Sequence, residues 1–95
     1  MKYDIILTSA FKKELKNIKK RNKDLSKLTK IVNKLANDEE LDIKNKDHAL
    51  VNSLRFKNCR ECHIEPDWLL VYKIKEDKLI LLLYATGSHS ELFDK

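Results

Sequence analysis

Trp68-Leu69-Leu70-Val71-Tyr72, followed after a short charged break by Leu79-Ile80-Leu81-Leu82-Leu83-Tyr84, contains no charged residue at any position. A strand with one wet face alternates apolar and polar side chains, whereas a continuous apolar run belongs to a strand covered on both faces. These two segments are therefore the inner strands of a sheet. Turn signals bracket them at Pro66-Asp67 and at Lys75 to Lys78, with Lys57-Asn58 further upstream. Connections this short join antiparallel neighbours. With Leu54 to Phe56 and Cys59 to Glu65 added ahead of Trp68 to Ile74 and Leu79 to Ala85, the second half reads as an antiparallel meander. Gly87, the only glycine, sits in Thr86-Gly87-Ser88 directly after the last strand, where a positive φ is cheapest. The chain is expected to turn there and present His89.

Upstream, the period changes. Tyr3 to Leu7 carries the β-favourable run Ile5-Ile6-Leu7 and ends at Thr8 and Ser9, either of which can cap a helix. Phe11, Leu15 and Ile18 then follow at i, i+4, i+7, while Lys12, Lys13, Lys16, Lys19 and Lys20 fall on the opposite side of the same helix. Asp24 caps a second helix, whose stripe is Leu25, Leu28, Ile31, Val32 and Leu35. Two helices separated by so short a break form an αα-hairpin. Full burial of each stripe side chain contributes about 1.5–3 kcal/mol before entropy, which marks the stripe as core. The polar stretch from Asn37 to Asp47 reads as a surface loop anchored by Leu41 and Ile43.

Ninety-five residues amount to one domain, spanning 1–95, and leave no room for a separate cofactor module. With 42% hydrophobic and 37% charged residues and one proline, the chain is globular rather than disordered. Residues 1–37 hold 11 Lys/Arg against 3 Asp/Glu, and residues 38–95 hold 9 against 12, so the excess of +8 in the first part outweighs −3 in the second. That asymmetry fits either a polyanionic partner or a well-solvated helix face. The acid at Asp4 interrupts any signal peptide, and no apolar run approaches the 18 or so residues of a membrane span, so a cytosolic, cytoplasmic protein is expected.

Cys59-Arg60-Glu61-Cys62-His63 matches the C-x-x-C-H pattern of covalent haem attachment. Residues three apart on a strand point to opposite faces, so these thiols cannot address one porphyrin edge or one metal together. Ordinary strand packing is the expected role. The same alternation groups Glu61, His63 and Glu65 on one face, expected to be wet, and Arg60, Cys62 and Ile64 on the other. His48, His63 and His89 are the only histidines and lie in a loop, a strand and a turn. Their separation suits a site assembled by folding, and an imidazole can give and take protons at neutral pH. Three unrelated surface histidines would read the same way, as would a His₃ zinc site, although no H-x-x-x-H spacing supports the latter. Asp67, a few residues from His63, can orient an imidazole or simply serve its turn.

Three strings in combination are distinctive: Asp47-His48-Ala49-Leu50; Arg60-Glu61-Cys62-His63-Ile64-Glu65-Pro66-Asp67-Trp68; and Gly87-Ser88-His89-Ser90-Glu91-Leu92-Phe93. Together with the basic helices they resemble the YafQ-type mRNA interferase toxins of the RelE/ParE superfamily over nearly the whole chain. The resemblance implies an α+β fold, an antiparallel sheet with the two-helix hairpin on one face. It further implies a toxin of a type II toxin-antitoxin system that cleaves messenger RNA on the ribosome without a metal or other cofactor, silenced by a cognate antitoxin. Carried over to this chain, the catalytic positions are His48, His63, Asp67 and His89. The lysines of the first helix, with Arg60 and Phe93, are the expected contacts to RNA and ribosome. Departures are small: Cys62 occupies a variable position, and Asp94-Lys95 continue past the Leu92-Phe93 ending. The superfamily also includes gyrase poisons, so a binding module without nuclease activity, or one that only sequesters antitoxin, is the alternative. Gyrase poisons lack this histidine and Asp-Trp set.

Overall fold

β1 (Asp4–Leu7) leads through the cap Thr8 into α1 (Ser9–Lys20), and Asp24 caps α2 (Leu25–Ala36). In this computed structural model β2 (His48–Ala49), β3 (Arg60–Glu65), β4 (Trp68–Lys75) and β5 (Ile80–Gly87) complete the sheet, and α3 (His89–Leu92) is the last described element. The structure describes residues 1–93, so Asp94 and Lys95, the extension past the Leu-Phe ending, lie outside the described residues. Thr8 Oγ1 accepts the Phe11 amide and Asp24 Oδ1 accepts the Ser26 amide, as the cap residues anticipated.

The strand order is β1-β5-β4-β3-β2. β4 and β5 are inner strands, as their unbroken apolar runs require, and β2 through β5 are antiparallel throughout. Two features depart from the expected meander. β1 returns along β5 in parallel, Asp4 opposite Ile80 and Leu7 opposite Leu83, because the whole helical hairpin lies between them in sequence. The sheet is therefore mixed. The strand expected at Leu54 to Phe56 is instead a turn, with Leu54 exposed and only Phe56 turned inward, while His48–Ala49, expected as loop, supplies the edge strand.

α1 and α2 cover one face of the sheet, where Phe11, Ile18, Leu28, Ile31, Val32 and Leu35 meet Cys62, Ile64, Trp68, Leu70, Tyr72, Leu81 and Leu83. The other face is closed by the 50–59 segment and α3, which bring Phe56 and Leu92 onto Cys59, Leu69, Val71 and Ala85. Cys59 and Cys62 thus point into opposite cores, as strand alternation demanded. Burial raises both thiols, Cys62 to about 12. Because the thiolate is the reactive form, an aromatic disulfide reagent should leave the folded protein unmodified and react with two thiols per chain once denaturant is added. Rapid modification under native conditions would contradict this packing.

Leu81 and Leu83 face the helices whereas Ala85 faces away, because the register with β4 shifts between Val71 and Tyr72 and adds one residue to β5. The shift turns Thr86 back toward the helices, where its hydroxyl accepts Trp68 Nε1 at 3.0 Å and its amide donates to Glu14 Oε1 at 2.9 Å. Beyond Leu83 the strand has lost its β1 neighbour. Glu14 and the Thr8 hydroxyl, which donates to the Tyr84 carbonyl at 2.8 Å, take over those backbone groups. The end of β5, and with it the start of α3, is thereby held in place.

Candidate active site

The Pro66-Asp67 turn between β3 and β4 lies beside the β5–α3 junction, and their contact assembles the site. Asp67 Oδ1 accepts both the His89 amide at 2.9 Å and His89 Nδ1 at 2.8 Å. These bonds, backbone first, hold the Asp67 carboxyl below its ordinary range, so it stays charged. A capping box completes the first turn of α3: Ser88 Oγ accepts the Glu91 amide and Glu91 Oε1 accepts the Ser88 amide. Gly87 has φ 159°, a positive φ that residues with a Cβ rarely adopt, as expected for this glycine. A Cβ there would also lie 3.1 Å from the capping Glu91 Oε1, so close approach adds a second reason for the residue.

Arg21, from the turn between the helices, pairs with Glu91 through both carboxylate oxygens. Arg21 first, then the Ser88 amide, depresses the Glu91 carboxyl to about 2 from its ordinary 4.5. A carboxyl depressed by folding stabilises the fold above its unfolded value and loses that contribution as pH falls through the folded one. Docking of α3 should therefore be intact above pH 4.5 and fail between there and about 2. Phe93 ring resonances followed by NMR through an acid titration check it; release above pH 5 would contradict it.

The sheet face of Glu61 and His63, opposite the helices, carries the rest of the site. Glu61 Oε1 lies 3.6 Å from His48 Nε2 and 3.4 Å from His63 Nε2. Cross-strand pairing puts His48 directly opposite Glu61, which explains why one carboxylate serves two rings. The His63 and His89 rings are 5.5 Å apart, and His89 faces Phe93 at 6.5 Å. Phe93 in turn stands edge-on to buried Phe56 at 5.6 Å. His48, His63, Asp67, His89 and Phe93 are therefore linked, through Glu61 and ring-to-ring contacts, into one cluster. Contrary to expectation, Glu61 is buried rather than wet, and Glu65 leaves the shared face at an irregularity between His63 and Glu65, bonding instead to Lys23 and Lys27 of the helical layer.

All three rings are oriented through Nδ1. His48 Nδ1 meets the Lys46 carbonyl at 2.7 Å, His63 Nδ1 meets the Pro66 carbonyl at 3.2 Å, and His89 Nδ1 meets Asp67. Carbonyl and carboxylate oxygens only accept, so each Nδ1 carries the proton and leaves Nε2 as the ring nitrogen not used in these bonds. Two groups of expected contacts lie elsewhere. Lys12, Lys13, Lys16, Lys19 and Lys20 are exposed on α1, in the layer across the sheet. Arg60 points away from Glu61 and is pinned to Asp47 Oδ1 at 3.3 Å, an oxygen shared with the Tyr72 hydroxyl at 2.6 Å.

Sequence reasoning placed Glu61 beside His63 but did not single it out; its burial between two imidazoles depends on β2, too short to read. Glu61, His63 and His89 each offer a donor atom within 4.8 Å of the others. The 3.4 Å from Glu61 to His63 suits two donors about 2.0–2.2 Å from one ion such as zinc.

Residues 3–94 match the family described as the bacterial toxin of type II toxin-antitoxin systems, YafQ. The chain belongs to that family. It is 42% identical over 91 residues, 95% of each chain, to the mRNA interferase toxin YafQ of Escherichia coli strain B / BL21-DE3. Among solved structures it resembles a metal-bound toxin from Helicobacter pylori, 46% identical with a TM-score of 0.89 over 96% of this chain and 99% of that one. YafQ in the E. coli DinJ-YafQ complex is 38% identical, with a TM-score of 0.85 over 96% and 98%. This YafQ-family chain shares the α+β fold of those toxins, and no helix among its described residues is long and apolar enough to cross a membrane.

Proposed function

We propose that this YafQ-family toxin cleaves ribosome-bound messenger RNA in the cytoplasm, with His89 as general acid, His48 as general base and His63 holding the phosphate. The observation that carries this reading is that three imidazoles from separate segments are each fixed through Nδ1 and gathered around Glu61 and Asp67 in one cluster. In transesterification the ribose 2′-oxygen gives its proton to the base and attacks phosphorus. The bond to the 5′-oxygen breaks, and that oxygen takes a proton from the acid, leaving a 2′,3′-cyclic phosphate and a 5′-hydroxyl. Attacking and leaving oxygens lie on opposite sides of phosphorus, with a hydrogen bond of about 2.8 Å to each catalytic nitrogen. Acid and base therefore belong at opposite ends of the row. His48 lies at one end beside Glu61, His63 is next, and His89 follows with Asp67 behind it.

Glu61 and Asp67 act through the rings. Each carboxylate stabilises the imidazolium it faces, Glu61 as His48 takes up a proton and Asp67 while His89 still holds one. Phe93 offers an aromatic face to a base at the rim. A divalent ion held by Glu61, His63 and His89 would occupy the same atoms and inhibit the reaction. Primer extension on message from cells expressing the toxin tests the function: new ends with the parent and none with His89→Gln support it, whereas growth arrest without cleaved message would favour the non-nucleolytic alternative.

The partner that silences the toxin is a cognate antitoxin, as DinJ accompanies YafQ in the E. coli complex. The α1 lysines bind ribosomal RNA phosphates. Changing Lys12, Lys13, Lys16, Lys19 and Lys20 together to Gln should weaken ribosome binding and flatten its salt dependence, since fewer counterions are released. Co-sedimentation with ribosomes at several salt concentrations measures this, and an unaltered slope would remove α1 from the interface.

A further inference from the structure

A groove of about 560 Å³ runs between α2 and the segment preceding β2, and His63 and Pro66 form part of its wall. We infer that it carries the backbone phosphates of the single-stranded RNA flanking the scissile bond, an inference that rests on the nuclease reading above. Ile31 and Ile64 line the groove together with Lys27, Lys30 and Lys34 from α2 and Lys44 and Lys46 from the opposite side. Not every lysine is available. Lys27 is paired with Glu65 at 2.9 Å and Lys34 with Asp42 at 3.5 Å. Among the described residues Lys30, Lys44 and Lys46 have no carboxylate within 4.0 Å, so the groove holds three uncompensated cations, which an anionic chain would satisfy.

The lysine segment is also locked to the catalytic rings. Buried Asn45 donates Nδ2 to the His63 carbonyl at 2.7 Å, and the carbonyl of Lys46, held at φ 48°, accepts from His48 Nδ1. Two of the three free cations therefore flank the residue that clamps this segment to the strand of His63. A cleaved strand must continue on both sides of the scissile bond, and His63 belongs both to the catalytic cluster and to the lining of this groove. Its apolar lining suits riboses and base faces. An acidic peptide would meet the same charges, but the share of His63 in the groove wall favours RNA.

Fluorescently labelled 2′-O-methyl oligoribonucleotides, which lack the nucleophile, test this with the intact toxin. A dinucleotide extended by two or four residues on its 5′ or its 3′ side is titrated at several salt concentrations and followed by anisotropy. Extension on one side should tighten binding several-fold and steepen the salt slope. The triple variant Lys30→Gln/Lys44→Gln/Lys46→Gln should lose that gain and about 2 units of slope, whereas Lys75→Gln/Lys78→Gln, at the far end of the β4–β5 hairpin, should keep it. A length gain that survives in the triple variant, or no gain on either side, overturns the proposal. So does loss of antitoxin affinity alone, which would assign the groove to an acidic peptide. His89→Gln should keep the gain. If that variant cleaved message at the parent rate while the lysine result held, the assigned chemistry would fall and the RNA track would stand.

Discussion

His89→Gln should yield a folded protein that binds its antitoxin and cleaves ribosome-bound message about 10²–10⁴ times more slowly than the parent, the usual worth of a positioned proton donor. Glutamine keeps an amide near the imidazole position and can still bond to Asp67, so α3 should stay docked through Glu91, Arg21 and the Ser88 cap. What it lacks is an ionisable Nε2 to protonate the departing 5′-oxygen. The loss should fall on the rate at saturation rather than on the concentration needed to reach it. Quench-flow or gel assays on programmed ribosomes measure both. Parent-level cleavage by this variant would exclude His89 as the acid.

Much of this site was legible from residue order because its parts lie at chain reversals. Pro66-Asp67 had to be a tight turn and Gly87-Ser88 had to follow an inner strand, so Asp67 and His89 were both placed at the ends of buried strands. Their direct contact needed only those strands to pair, which the unbroken apolar runs required. Three features were hidden. The irregularity near Tyr84 falls within a run so uniformly apolar that either face reads alike. β2 is two residues long, below what any periodicity reveals, yet it places His48 opposite Glu61. The parallel return of β1 is a long-range pairing across the helical hairpin, invisible to turn signals.

The burial of Glu61 follows from those hidden features, and its replacement carries the second large expected effect. Glu61→Gln preserves shape in a nearly closed space, 5% exposed, so neither a cavity nor a buried charge is created. It removes the negative charge 3.6 Å from the proposed base and 3.4 Å from the phosphate-holding ring. Without it, the imidazolium produced by proton abstraction loses its counter-charge just as the transition state needs it. Cleavage should fall by about 10²-fold, comparable to removing one preorganised electrostatic partner. The kinetic split separates this role from simple support: a counter-charge to the transition state acts on the rate at saturation and leaves the concentration needed to reach it unchanged. A variant that loses both together would make Glu61 a packing residue. One that keeps the parent rate would remove it from the reaction and leave His48 to act without a counter-ion.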